Sequence, residues 1–124
     1  MTRRFPRTET LIPDDLRAAL IVNGRASKEQ EDLDPRPVMK LFTPDGSATW
    51  LITEAYEEPD GDLRMFRLCH LGFGSPELGY VMLSEIEEVR GGLGLPVERD
   101  LHFKAEYRLS RYAEIANQAG RIVA

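Results

Sequence analysis

The side chains best equipped for chemistry gather in the second half of the chain. Glu77, Tyr80, Glu85, Arg90, Glu98, Arg99, Asp100, His102 and Lys104 bring acids, bases and a phenol into one short stretch. Such a set builds a general acid–base site when burial or a like charge moves a pKa toward neutrality. No spacing among them specifies a reaction, however, and each has a structural reading. Glu85 suits the positive end of a helix dipole and Arg90 the negative end, while Arg99 and Asp100 suit surface ion pairs of small energetic weight. No catalytic residue is therefore assigned. Glu77, Tyr80, Glu98, Arg99, Asp100 and His102 are expected to form a binding surface for a protein partner, because polar residues on loops serve recognition more often than packing. The competing class is a small enzyme using Glu77, Glu85, Arg99 or His102, and it requires a concave site with at least two of these groups in contact.

Other chemistries find less support. A metal centre needs three or four converging ligands, and the chain has two histidines and one cysteine. Cys69 and His70 are adjacent on an expected strand, so they point to opposite faces and make neither a ligand pair nor a nucleophile–base pair. Cys69 reads as a small core residue. The glycines at 72, 74 and 79, or at 91, 92 and 94, match no phosphate-binding loop, since no Lys-Ser or Lys-Thr follows at a strand-to-helix turn. Neither a metal nor a cofactor is expected. A net charge of −5 disfavours broad contact with nucleic acid. The alternative is a local one: an arm carrying Arg3, Arg4 and Arg7, with sheet aromatics such as Tyr56, Phe66 and Tyr80 available to stack on single-stranded bases.

The elements that must hold these residues follow from periodicity. With 124 residues, 42% of them hydrophobic, the chain has the material for a single core. The division expected is a basic arm over 1–12 and one α+β domain over 13–124. A first helix starts near Pro13 with Asp14 and Asp15 in its first turn, carries Leu16, Ala19 and Leu20 inward, and stops at Asn23-Gly24. A polar loop then runs to Pro37. Val38–Thr43, Thr49–Tyr56, Leu63–Leu71 and Gly79–Leu83 alternate as an antiparallel four-stranded meander. Its first two turns are Pro44-Asp45-Gly46 and Pro59-Asp60-Gly61, in which aspartate caps locally and glycine takes a positive φ. Ser84 and Glu87 make a capping-box pattern for a short helix after strand 4, with Ile86 and Val89 facing inward. The segment from Leu93 to Lys104 reads equally as edge strand or loop. A last helix from about Ser110 places Tyr112, Ile115, Ala116, Ala119 and Ile122 on one face. No apolar run has the length of a signal peptide or a membrane span, so the expected location is the cytoplasm, with no membrane contact. Oligomeric state is left open.

Two blocks are distinctive beyond turn chemistry. The first runs Lys40-Leu41-Phe42-Thr43-Pro44-Asp45-Gly46-Ser47 into Thr49-Trp50 and Thr53-Glu54. The second runs Pro76-Glu77-Leu78-Gly79-Tyr80 through Leu83-Ser84-Glu85-Ile86-Glu87 to Arg90-Gly91, and on through Leu93-Gly94-Leu95-Pro96-Val97-Glu98-Arg99-Asp100-Leu101-His102-Phe103. Together they resemble a bacterial family known only as a domain of unknown function, DUF2958. The resemblance implies short proteins carried on plasmids and other mobile elements, where small accessory proteins are common. It supplies no catalytic residue to carry over.

Overall fold

The computed structural model describes residues 10–124, so the arginines of the arm, Arg3, Arg4 and Arg7, lie outside the described residues. The chain runs α1 (Asp14–Glu29), β1 (Met39–Phe42), β2 (Thr49–Glu57), β3 (Leu63–His70), β4 (Glu77–Met82), α2 (Leu83–Glu88), β5 (Glu98–Arg99) and α3 (Leu109–Ala119). The α+β class and the β1–β4 meander are as expected, but the sheet has a fifth strand. Its order is β4-β3-β2-β1-β5, antiparallel throughout. After β4 the chain crosses to the far edge and adds β5 beside β1, which resolves the 93–104 segment as a short edge strand within ordered turns.

The two faces of the sheet are buried by different helices. Leu20 of α1 and Ile86 of α2 share one core with Met39, Leu41, Trp50, Ile52, Ala55, Met65 and Cys69. Leu11 and Ile12, which the sequence reading leaves in the arm, are buried in this core. Leu109, Tyr112, Ala113 and Ala116 of α3 cover Leu51 and Leu68 on the other face. Cys69 and His70 pair with Trp50 and Thr49 respectively, on opposite faces as alternation requires. Burial pushes the Cys69 thiol pKa up, as befits a core residue rather than a nucleophile.

Helix α1 does not stop at Asn23-Gly24. Its inward stripe is Leu16, Leu20 and Gly24 at i, i+4 spacing, of which Leu16 is half-buried and the other two buried, while Ala19 is exposed. The reason lies in β2. Its pairing with β1 ends at Met39↔Ile52, and its register with β3 shifts between Ile52 and Glu54. Beyond that bulge β1 no longer covers β2, and α1 does so instead. Asn23 Nδ2 donates to Thr53 O at 2.9 Å, and a Cβ on Gly24 would stand 2.3 Å from Ala55 O. The residues that look like a stop signal are the contact point of helix on strand.

Other local expectations also shift. Gly61 takes φ 89° in the second turn, but Gly46 is not among the positive-φ glycines. Asp60 accepts from Asp62 N at 3.0 Å as a local cap. Asp45 instead reaches across the fold to accept from Leu93 N at 2.7 Å and Leu95 N at 3.3 Å, holding the segment that leads to β5. Helix α2 starts earlier than a Ser84 cap would set it: Glu85 Oε1 accepts from Met82 N at 3.1 Å, and Ser84 donates its hydroxyl to Asp62. Helix α3 is begun the same way, with Asp34 accepting from the backbone and hydroxyl of Ser110. It ends at Ala119 with Gly120 at φ 75°, so Ala119 is exposed and Ile122 packs against the helix from beyond its end.

Candidate functional site

The expected binding set separates into two groups. Glu77 and Tyr80 lie on β4, whereas Glu98 and Arg99 form β5, with Asp100 and His102 in the turn after it. These are the two edges of the sheet, about 19 Å apart at about 4.8 Å per strand. Glu85 belongs to the β4 side through its bond to Met82. The acid–base constellation of Glu77, Glu85, Arg99 and His102 is therefore not brought together.

At the β5 edge Asp100 holds the turn. Asp100 N donates to Lys40 O at 3.0 Å. Its Oδ1 accepts from His102 N at 2.9 Å, and its Oδ2 lies 3.7 Å from Lys40 Nζ. A groove of about 490 Å³ lies beside them, lined by Asp100, His102, Lys104, Tyr107, Tyr112 and Ile115 among others. Tyr112, buried, accepts from Glu106 N at 2.9 Å, so its hydroxyl fixes the segment before α3.

The β4 edge is built differently. No strand among the described residues pairs with its outer side. Its pairing with β3 is regular from Cys69↔Glu77 to Arg64↔Met82. The direction of its backbone groups follows from alternation across the ladder. Thr43 N donates to Ala48 O and Asp100 N to Lys40 O, so successive residues of β1 face β2 and β5 in turn. Carried through β2 and β3, that alternation turns the backbone of Glu77, Gly79 and Val81 toward β3. The N–H and C=O of Leu78, Tyr80 and Met82 point outward. Met82 N is taken by Glu85, leaving Leu78 and Tyr80 as the open positions.

Those same residues carry exposed apolar side chains. Of the nine large hydrophobic residues exposed among the described positions, four fall within 71–80: Leu71 at 50%, Phe73 at 76%, Leu78 at 49% and Tyr80 at 51%. Helix α3 buries the β2–β3 part of this sheet face around Leu51 and Leu68 and leaves the β4 margin bare. Beneath Tyr80 lies a cation–aromatic stack. The Arg64 guanidinium stands 4.6 Å from the Tyr56 ring centroid and 4.7 Å from that of Tyr80, and Phe66 meets Tyr80 edge-on at 5.1 Å. Arg64 also pairs with Glu58 at 2.9 Å. Tyr56 donates its hydroxyl to the buried Glu54. Burial first, then that carboxylate, push the phenol pKa well above its ordinary value. The stack thus gives Tyr80 a firm floor while one side of its ring stays open.

On the opposite face of β4, Arg67 crosses from β3 and donates Nη1 to Glu77 O at 2.9 Å. Its guanidinium passes directly over Gly79, where a Cβ would come to 3.3 Å of Nη1. The glycine of the Pro76–Tyr80 block is thereby explained as the floor under an arginine. Arg67 is not among the residues expected from the sequence, and Leu78 lies within the expected Phe73–Tyr80 surface without being singled out there. The signal was present in Leu78, Tyr80 and Met82, an apolar series on one face of a strand whose other face already holds Val81. A strand with an exposed apolar face, last in its meander, reads as an edge with a partner.

Among the described residues no group of three or more His, Cys, Asp or Glu is placed to hold a metal ion, and no helix is long and apolar enough to cross a membrane.

Fold and site together define a small α+β protein whose sheet is covered by helices on both faces and open along one unprotected strand. The chain belongs to a family described as a protein of unknown function, DUF2958, whose sequence profile matches residues 11–123. No curated protein and no solved structure matches it.

Proposed function

We propose that this chain is a cytoplasmic accessory protein of bacterial mobile elements that acts by binding a protein partner, and that the partner adds a strand to β4. The genomic setting follows the resemblance drawn from the two sequence blocks. The docking mode rests on one observation: outward backbone groups and exposed apolar side chains coincide at Leu78 and Tyr80. In strand addition, main-chain hydrogen bonds supply affinity and alternate side chains supply selectivity. Phe73 and Leu71 extend the apolar surface beyond the strand. Glu77 and Tyr80 of the expected binding set belong to this surface, while Glu98, Arg99, Asp100 and His102 serve the opposite edge.

A comparison of the two edges supports the reading. Strand β5 is two residues long, and both are charged, which is how proteins blunt an edge against unwanted pairing. Strand β4 is six residues long, with no lysine, proline or bulge and with Glu77 as its one charge. One edge is blunted and the other is not.

The test is a matched pair of baits, wild type and Leu78→Pro. Proline removes the outward N–H of Leu78, spares the bonds to β3, and is tolerated on an edge strand. Loss of the captured partner by Leu78→Pro, with an unchanged circular dichroism spectrum, is the expected outcome. Equal capture by both baits would refute docking at β4.

A further inference from the structure

The open groups of β4 also select a particular occupant, an inference that rests on β4 being a docking edge. We propose that a second copy of this chain occupies it, by two-fold antiparallel pairing of β4 centred on Gly79. In an antiparallel ladder, residues directly opposite share a face of the sheet, so the two-fold axis must set one residue opposite its own copy and cannot fall between two successive pairs. Centring on Gly79 sets Leu78 opposite Tyr80 of the second copy. Both residues point their backbone groups outward, so this pair is a hydrogen-bonded one. Leu78 N donates to Tyr80 O of the second copy, and that Tyr80 N donates back to Leu78 O. The axis repeats the exchange on its other side, and every open backbone group of Leu78 and Tyr80 finds a partner. The next register, centred on Tyr80, sets Leu78 opposite Met82, whose N–H is already donated to Glu85. Only the Gly79 register is self-complementary.

Side chains agree with the backbone. Leu78 and Tyr80, each about half exposed, become direct cross-strand neighbours twice over, the unit that stabilises a sheet. At the axis Gly79 faces Gly79 of the second copy as a non-hydrogen-bonded pair, with Cα atoms about 4.5 Å apart. No side chain at that point competes with the Arg67 guanidiniums lying over each glycine. Glu77, the one charge of β4, falls opposite Val81 and not opposite its own copy. It lies on the diagonal from Gly79 of the second copy and the Arg67 guanidinium over it, so the two Glu77 carboxylates flank, one on each side, the two guanidiniums that meet across the axis.

Sedimentation equilibrium of the full chain, from about 1 μM to about 500 μM, tests the pairing over the range of weak to moderate affinities. The mass is expected to rise from 14.1 kDa toward twice that value, and to stay at 14.1 kDa for Leu78→Pro. A second assay reports the register without relying on proline. Leu78 and Tyr80 of the second copy have Cα atoms about 5.5 Å apart, within disulfide reach. Mixing Leu78→Cys chains with Tyr80→Cys chains under mild oxidation should give the covalent heterodimer, well above what either variant forms alone. The native Cys69 is buried and does not interfere. A mass fixed at 14.1 kDa throughout, a dimer that persists in Leu78→Pro, or cross-linking of Tyr80→Cys with itself would overturn the proposal. A monomeric result leaves the strand-addition reading to the paired baits, so the two failures are distinguishable.

Discussion

Gly24 stands where a methyl group has no room, because Ala55 O lies 2.3 Å from the position of its Cβ and is backbone that cannot swing aside. Gly24→Ala raises helix propensity in isolation, yet here it is expected to lower stability by about 1–3 kcal/mol, the usual cost of overpacking. A lower thermal midpoint measures this; an unchanged or higher one would contradict the contact. Nothing in the local sequence distinguishes this Asn-Gly from a helix stop. The difference lies some thirty residues away, in a bulge that frees Thr53 O for Asn23. Asp62 gives a second residue-scale prediction. The hydroxyl of Ser84 is the main cause of its lowered pKa, with backbone bonds from Leu63 and Ser84 adding to it. A carboxylate whose folded pKa is depressed contributes stability above its unfolded pKa of about 3.9, and loses it as pH falls through the folded value. The urea midpoint of the wild type should therefore drop on acidification below about pH 4. Part of that drop should vanish in Asp62→Ala; because the group is only partly buried, the part is small. An identical acid limb in the two proteins would contradict the assignment.

At the scale of elements, helices α2 and α3 share a device. Each opens with Leu-Ser, and each serine is held by an aspartate from a distant loop, Asp62 for Ser84 and Asp34 for Ser110. Asp34→Ala should cost about 1 kcal/mol, the ordinary weight of a helix cap, measured as a shift in urea midpoint. The existence of α2 was legible from the Ser84–Glu87 pattern and that of α3 from periodicity, and so was the inward placement of Ile86 and Tyr112. The aspartate contacts were not, since they come from remote loops, and the local box at α2 pairs Glu85 with Met82 N, two residues ahead of the Ser84–Glu87 pattern. Strand β4 permits a sharper test of orientation. Leu78→Pro removes an N–H that faces outward and should cost under about 1 kcal/mol, whereas Gly79→Pro removes one that faces β3 and should cost about 3 kcal/mol or more. Comparable losses of thermal stability in the two variants would mean that the alternation across the sheet is wrong.

At the scale of the whole molecule, the sequence shows which residues are unusual but not how they are distributed. The stretch from Glu77 to His102 is continuous along the chain, yet crossing over α2 carries its two ends to opposite edges of the sheet. At the β5 end Asp100 ties a turn to Lys40. Those at the β4 end accompany an apolar margin that α3 leaves uncovered. The four strands β1–β4 and their order could be read from alternation and turns. The fifth strand could not, because two residues carry no period. The central claim is that the backbone of Leu78 and Tyr80 is open in the free domain and closed by a partner. Site-resolved amide hydrogen exchange tests it most directly, measured on dilute protein and again in the complex recovered by the wild-type bait. Leu78 and Tyr80 should exchange fast when free, with Gly79 and Val81 protected, and all four should be protected in the complex. Equal exchange at Leu78 and Tyr80 in both states, with new protection appearing elsewhere, would place the partner on another surface and contradict docking at β4.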